Sequence, residues 1–146
     1  MSKPSALFCL LMLFCSQLMA QSDKIVGLWI TDNDKSQVRI SQTEDGSYCG
    51  QIVWLSENKD RTDAENPDPQ LRSRKVLGLQ ILSNFHYNEA KNKWFDGTIY
   101  DPKSGKTYDC FMWFDDNNDL HVKGYVMGMR FIGRQTVWRR ETELRD

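Results

Sequence analysis

Trp94 to Trp113 reads WFDGTIYDPKSGKTYDCFMW, and its middle decides the fold. In Asp101–Pro102–Lys103–Ser104–Gly105, Pro sets φ early in a turn and Gly takes the awkward dihedral late. The flanking runs, Lys93–Tyr100 and Thr107–Phe114, are rich in aromatic and β-branched residues that suit a pleated, half-buried surface. The segment therefore predicts a β-hairpin.

The same pattern extends outward in both directions. Upstream lie Lys24–Thr31, Ser36–Gln42, Ser47–Leu55 and Val76–Phe85; downstream lie Leu120–Met127 and Met129–Arg140. The breaks between them carry turn residues: Asp32–Asn33–Asp34, Glu44–Asp45–Gly46, His86 to Lys91 and Asp115 to Asp119. One stretch differs. Residues 56–75 are charged, contain Pro67 and Pro69, and read as a long loop with at most a helical turn. The sum is eight strands and no long helix. An antiparallel meander of eight removes its exposed edges by closing into an up-and-down β-barrel, whose interior holds side chains or one small ligand. Gly50, Gly78, Gly97, Gly124 and Gly133 fall inside the predicted strands, where barrels need bends. A two-sheet β-sandwich is the alternative.

The first twenty residues read as a signal peptide: Lys3, an uncharged run from Ala6 to Cys15, and a more polar close ending at Ala20. Cleavage near Ala20 leaves one domain, residues 21–146, in the periplasm or outside the cell. An uncleaved anchor or a lipoprotein on Cys15 is the alternative. No later segment is apolar enough to span a bilayer as a helix. Lys3 is the one charged residue removed, so the net charge of −1 becomes about −2. That balance gives no support to a nucleic-acid partner, which needs a basic face. Cys49 and Cys110 remain, on the predicted third and sixth strands. They are either a disulfide or two buried thiols acting as small hydrophobes, and non-adjacent strands make the geometry demanding.

Candidate chemistry is sparse. His86 and His121 have no companion at metal-ligand spacing and read as surface residues, so no metal and no cofactor is expected. Asp115, Asn117 and Asp119 imitate the start of a calcium loop, but Leu120 stands where Gly is needed. The loop acids Asp60, Asp63, Glu65 and Asp68 read as solvated. Asp96, beside Gly97 on a strand, is an unusual acid, read as an ion pair with Lys106, Lys123 or Arg134. A catalytic role for Asp96 or Asp101 with Lys123 lacks a complete nucleophile–base–orienter set. On the sixth strand Tyr108, Cys110, Met112 and Phe114 share one face and Phe111 and Trp113 the other, so both faces are apolar. That surplus predicts a ligand cavity or a partner-facing patch, or else a thick core covered by the long loop. The residues expected in or around a cavity are Trp54, Trp94, Tyr100, Tyr108, Met112 and Tyr125.

Gly27–Leu28–Trp29 resembles the Gly-x-Trp of lipocalin-like barrels, in which the Trp closes one end and an Arg from the last strand lies against it. The resemblance implies a structural role for Trp29, with Arg134 or Arg139 as its partner. Gly27–Trp29, Gly50–Ile52, Arg74–Leu82, the Trp94–Trp113 block, Leu120–Tyr125 and Gly133–Arg140 together resemble a bacterial exported family, DUF2147. The resemblance implies an envelope protein with a lipocalin-like β-barrel and supplies no catalytic residues. Where many members carry a Cys-x-x-Cys stretch, this chain has Asp63 to Pro69 (DAENPDP). The sequence therefore predicts a barrel that binds a small, mostly apolar molecule without transforming it. A protein-interaction module of the envelope is the alternative.

Overall fold

The computed structural model describes residues 21–146; the predicted signal peptide lies outside them. Eight strands form: β1 (Gly27–Ile30), β2 (Ser36–Gln42), β3 (Tyr48–Leu55), β4 (Gln80–Asn88), β5 (Lys93–Asp101), β6 (Lys106–Phe114), β7 (Leu120–Val126) and β8 (Met129–Glu141). Each pairs antiparallel with the next, and β8 returns to β1. The register Trp29↔Arg140 closes the barrel and excludes a sandwich. Closure leaves no sheet edge to be covered.

The chain ends of two predicted strands lie elsewhere. Asp23–Ile25 is a 3-10 turn rather than the start of β1, and it drives Ile25 into the core. β4 begins at Gln80, and His86 to Asn88 extend it where a turn was expected. Val76 and Leu79 are nonetheless buried, as loop residues packed into the core. An apolar run reads alike in a strand and in a loop that plugs a core.

The barrel is solid at one end. Phe114 lies 5.6 Å from Trp29 and 5.5 Å from Trp94, and Trp94 lies 4.9 Å from Tyr87. Both indole N–H groups are satisfied by the turn beneath: Trp29 Nε1 donates to Ile25 O at 2.9 Å and Trp94 Nε1 to Ser22 O at 3.2 Å. Buried donors thus have acceptors, as burial requires. The arginine over Trp29 is Arg140, with its guanidinium 4.3 Å from the ring, and not Arg134 or Arg139. Arg140 also donates to Val26 O at 3.0 Å and to Lys24 O. Arg139 has the opposite parity and pairs outward with Asp34 at 2.6 Å. Arg134 shares Arg140's parity but lies farther along β8, opposite Gly124.

A bulge between Trp94 and Gly97 bends β5. Asp96 sits in it with φ +64°, a left-handed conformation that Asp tolerates better than most residues. Among the described residues it makes no ion pair, so the predicted partnership with Lys106, Lys123 or Arg134 does not form. The bend lets the Phe85 ring lie on Gly97, where a Cβ would come within 2.4 Å of it.

Candidate functional site

The opposite end of the barrel is hollow. A cavity of about 670 Å³ opens there, floored by Val122 and Trp138 and walled by Ile52, Leu55, Ile81 and Ile99. Its size lies within the range of small-molecule sites, and its walls are mainly apolar. Charged groups ring the mouth. Lys35 pairs with Glu57 at 2.6 Å, and Asp101 is occupied by its own turn, accepting from Lys103 N at 3.0 Å and Ser104 Oγ at 2.8 Å. Arg61, Lys103 and Arg134 also reach the mouth.

Three of the six predicted cavity residues, Tyr100, Tyr108 and Tyr125, line this space. Trp94 and Met112 face inward but belong to the solid end, fully packed. Tyr125 borders the mouth, yet its ring packs on the barrel's exterior, 5.9 Å from Phe111. Trp54 is outside altogether. A register shift between Gln37 and Val38 turns it outward, although Ile52, two residues earlier, points in. The C-terminal tail covers it: Trp54 Nε1 donates to Asp146 O at 2.7 Å, and the Arg145 guanidinium lies 5.5 Å above its ring. Sequence reasoning missed Ile52, Leu55, Ile81, Ile99, Val122 and Trp138. Alternation marked Val122 as facing one way and Lys123 the other, and that signal was available.

The loop over the mouth is held by a buried carboxylate. Asp63 is fully buried, not solvated. Its carboxylate accepts from Tyr100 Oη at 2.5 Å, Asn66 Nδ2 at 2.8 Å and Arg74 Nε at 2.9 Å. Burial pushes this carboxyl's pKa up, but the three hydrogen bonds and the Arg74 charge outweigh it, so the pKa lies below the ordinary carboxylate value. Burial and the Asp63 charge raise the Tyr100 phenol above its usual range. The loop also rests on the β5–β6 turn. A Cβ on Gly105 would lie 1.9 Å from Glu65 O, so only glycine permits this approach.

The remaining candidates resolve simply. Cys49 and Cys110 are free thiols, separated in the sheet by β4 and β5, so no disulfide links them. Burial pushes the Cys110 thiol up to about 12, which makes it inert at neutral pH. His86 is exposed, as expected. His121 is half-buried: it meets Asp115 Oδ2 at 2.7 Å and Gln135 Nε2 at 2.8 Å and stacks 5.0 Å from Trp113. Asp115 also accepts from Asn117 N and Asp119 N, so the calcium-loop imitation is a turn. Among the described residues no cluster of metal-ligating side chains occurs, and no helix is long and apolar enough to cross a membrane.

A closed, eight-stranded, antiparallel barrel, plugged at one end by Trp29 under an arginine and open at the other, is a lipocalin-like fold. A solved structure described as "Protein HP1028 from the human pathogen Helicobacter pylori belongs to the lipocalin family" has this fold: TM-score 0.72, 24% identity, 82% of this chain and 84% of that one covered. The chain belongs to the family described as "Uncharacterized protein conserved in bacteria (DUF2147)", whose profile matches residues 27–140. No curated protein matches it.

Proposed function

We propose that the protein is exported, loses its signal peptide near Ala20, and binds a small, mostly apolar molecule in the periplasm or outside the cell without transforming it. The observation that carries this reading is the hollow half of the barrel, about 670 Å³ with aliphatic walls. A protein that needed only a stable barrel would fill that end, as this one fills the other. The positions of the acids support a non-catalytic role. Asp101 holds its turn, Asp96 serves a bulge, and Lys123 belongs to the outward parity of β7.

The test is native mass spectrometry of protein purified gently from the bacterial envelope. A reproducible small-molecule adduct, lost after delipidation, is the expected result and gives the ligand class. A clean apo mass at the monomer weight, with no adduct from an extracted-lipid panel, overturns the reading.

The second reading, an interaction module on the outer face of the last three strands, meets a specific obstacle. Phe95, Phe111 and Tyr125 form an outer cluster, but Lys93 and Arg130 lie across it. Each of the three residues is less than a tenth exposed, so this cluster is already roofed.

A further inference from the structure

Seven large hydrophobic residues are exposed among those described, and four of them, Val126, Met127, Phe131 and Ile132, sit at one place. That place is the tip of the β7–β8 hairpin. Met127 is 86% exposed and Phe131 80%, while Val126 and Ile132 border the cavity mouth. Scattered apolar residues are normal on a protein surface; a cluster on a projecting tip is not.

The turn has been built for that tip against its own local preference. Met127 has φ +55° and Gly128 φ +68° between the paired residues Val126 and Met129. Two left-handed residues in a two-residue loop favour Asn-Gly, because a bulky side chain is strained there. Methionine in that position costs stability and gains exposure of an apolar side chain. Beyond the turn, Arg130 to Ile132 bulge out of the ladder, which frees Phe131 from any cross-strand partner.

Charge identifies the surface this tip fits. From Leu120 to Arg140 the hairpin contains none of the chain's 20 acidic residues and five of its 19 basic ones; of these Arg130 and Arg134 lie on the tip side, whereas Arg139 pairs with Asp34 and Arg140 lies over Trp29 at the solid end. The whole chain is slightly acidic, so the positive charge is local. Three acids of the mouth are on other connections: Glu57 is occupied by Lys35 and Asp101 by the turn that follows it, while Asp32 is exposed on the β1–β2 turn. Asp109 on β6 is the acid paired across from Tyr125.

We infer that the β7–β8 hairpin tip docks the barrel on an anionic lipid surface, with Met127 and Phe131 seated at the headgroup–acyl boundary and Arg130 and Arg134 among the headgroups. The polar backbone of the turn limits insertion to that boundary, since a hairpin cannot satisfy its amides in hydrocarbon. Apolar burial and attraction to anionic lipid add together in such docking. A second copy of the chain fits less well, because a two-fold contact through this tip brings like charges together. Docking would set the cavity mouth against the lipid, but it requires no ligand.

The barrel closes wholly within residues 21–146, so that segment is tested alone, free of the apolar run at its N-terminus. Co-sedimentation is measured with vesicles of phosphatidylethanolamine and phosphatidylglycerol and with vesicles of phosphatidylcholine. Binding to the anionic vesicles alone, weakened by salt, is expected. Met127→Asn with Phe131→Ser should weaken it about tenfold or more and leave thermal unfolding unimpaired, since Asn suits the turn. Absence of binding to the anionic vesicles overturns the inference, as does unchanged binding by the double variant. A dimer in ultracentrifugation that the double variant abolishes, without vesicle binding, also overturns it and assigns the tip to a second copy. None of these results depends on whether the cavity holds a ligand.

Discussion

The phenol of Tyr100, at the end of β5, donates to the carboxylate of Asp63 across 2.5 Å, tying the loop of residues 56–79 to the barrel rim. Arg74 completes the site from the loop's far side, so a single buried acid gathers both ends of the loop. A hydrogen bond to a charged group contributes about 1.5–3 kcal/mol. Tyr100→Phe should cost near the lower end, because Arg74 is partly exposed and still pairs with the carboxylate. Asp63→Asn should cost about 2 kcal/mol. The Asp63 pKa is lower folded than unfolded, so its contribution is complete above the unfolded carboxylate value of roughly 4 and fades as pH falls through the folded one. Urea midpoints of wild type and Asp63→Asn should therefore converge in acid. Parallel profiles would show that the carboxylate does not hold the loop.

Arg140 and Arg139 are neighbours in sequence with opposite fates. Arg140→Ala removes a cation–π contact and two hydrogen bonds that close the barrel floor, and should cost about 2 kcal/mol. Arg139→Ala removes an exposed pair with Asp34 and should cost less than about 1 kcal/mol. Thermal unfolding of the two variants decides; equal losses would mean that Trp29 needs no lid.

Much of this was legible in the sequence. Turn chemistry at Asp101–Gly105 and Glu44–Gly46 divides the chain into strands, and alternation on β6 separates Cys110 and Met112, inside, from Phe111 and Trp113, outside. What alternation does not carry is a slip in register. The shift at Gln37/Val38 turns Trp54 outward although Ile52 points in, and one residue of slip exchanges the faces. The partner of Trp29 was illegible for a different reason: β1 and β8 come from opposite ends of the chain, and nothing local fixes that register. Asp63 looked solvated because its neighbours are polar; its burial depends on Tyr100, far along the chain.

Asp96 was read as one half of an ion pair, and its backbone gives it another role. At φ +64° the β5 bulge favours Asp, Asn or Gly. Asp96→Asn should change stability by less than about 0.5 kcal/mol, whereas Asp96→Ala should cost about 1 kcal/mol or more from the left-handed conformation alone. If Asn proved as damaging as Ala in chemical denaturation, the charge would matter and the backbone account would fail.

The contrast between the hollow and the solid halves gives the sharpest test of the cavity. Ile99 and Met112 both point into the barrel, on β5 and β6, Ile99 into open space and Met112 into the aromatic floor. Met112→Trp forces extra volume into a packed region and should cost about 1–3 kcal/mol. Ile99→Trp adds an indole to empty space, where filling is neutral or stabilising by about 0.5–2 kcal/mol. The same variant should abolish any small-molecule adduct while the barrel remains folded. Equal destabilisation by the two substitutions would show that the upper half is not hollow in solution. A folded Ile99→Trp protein that kept its full adduct would place the ligand outside the barrel.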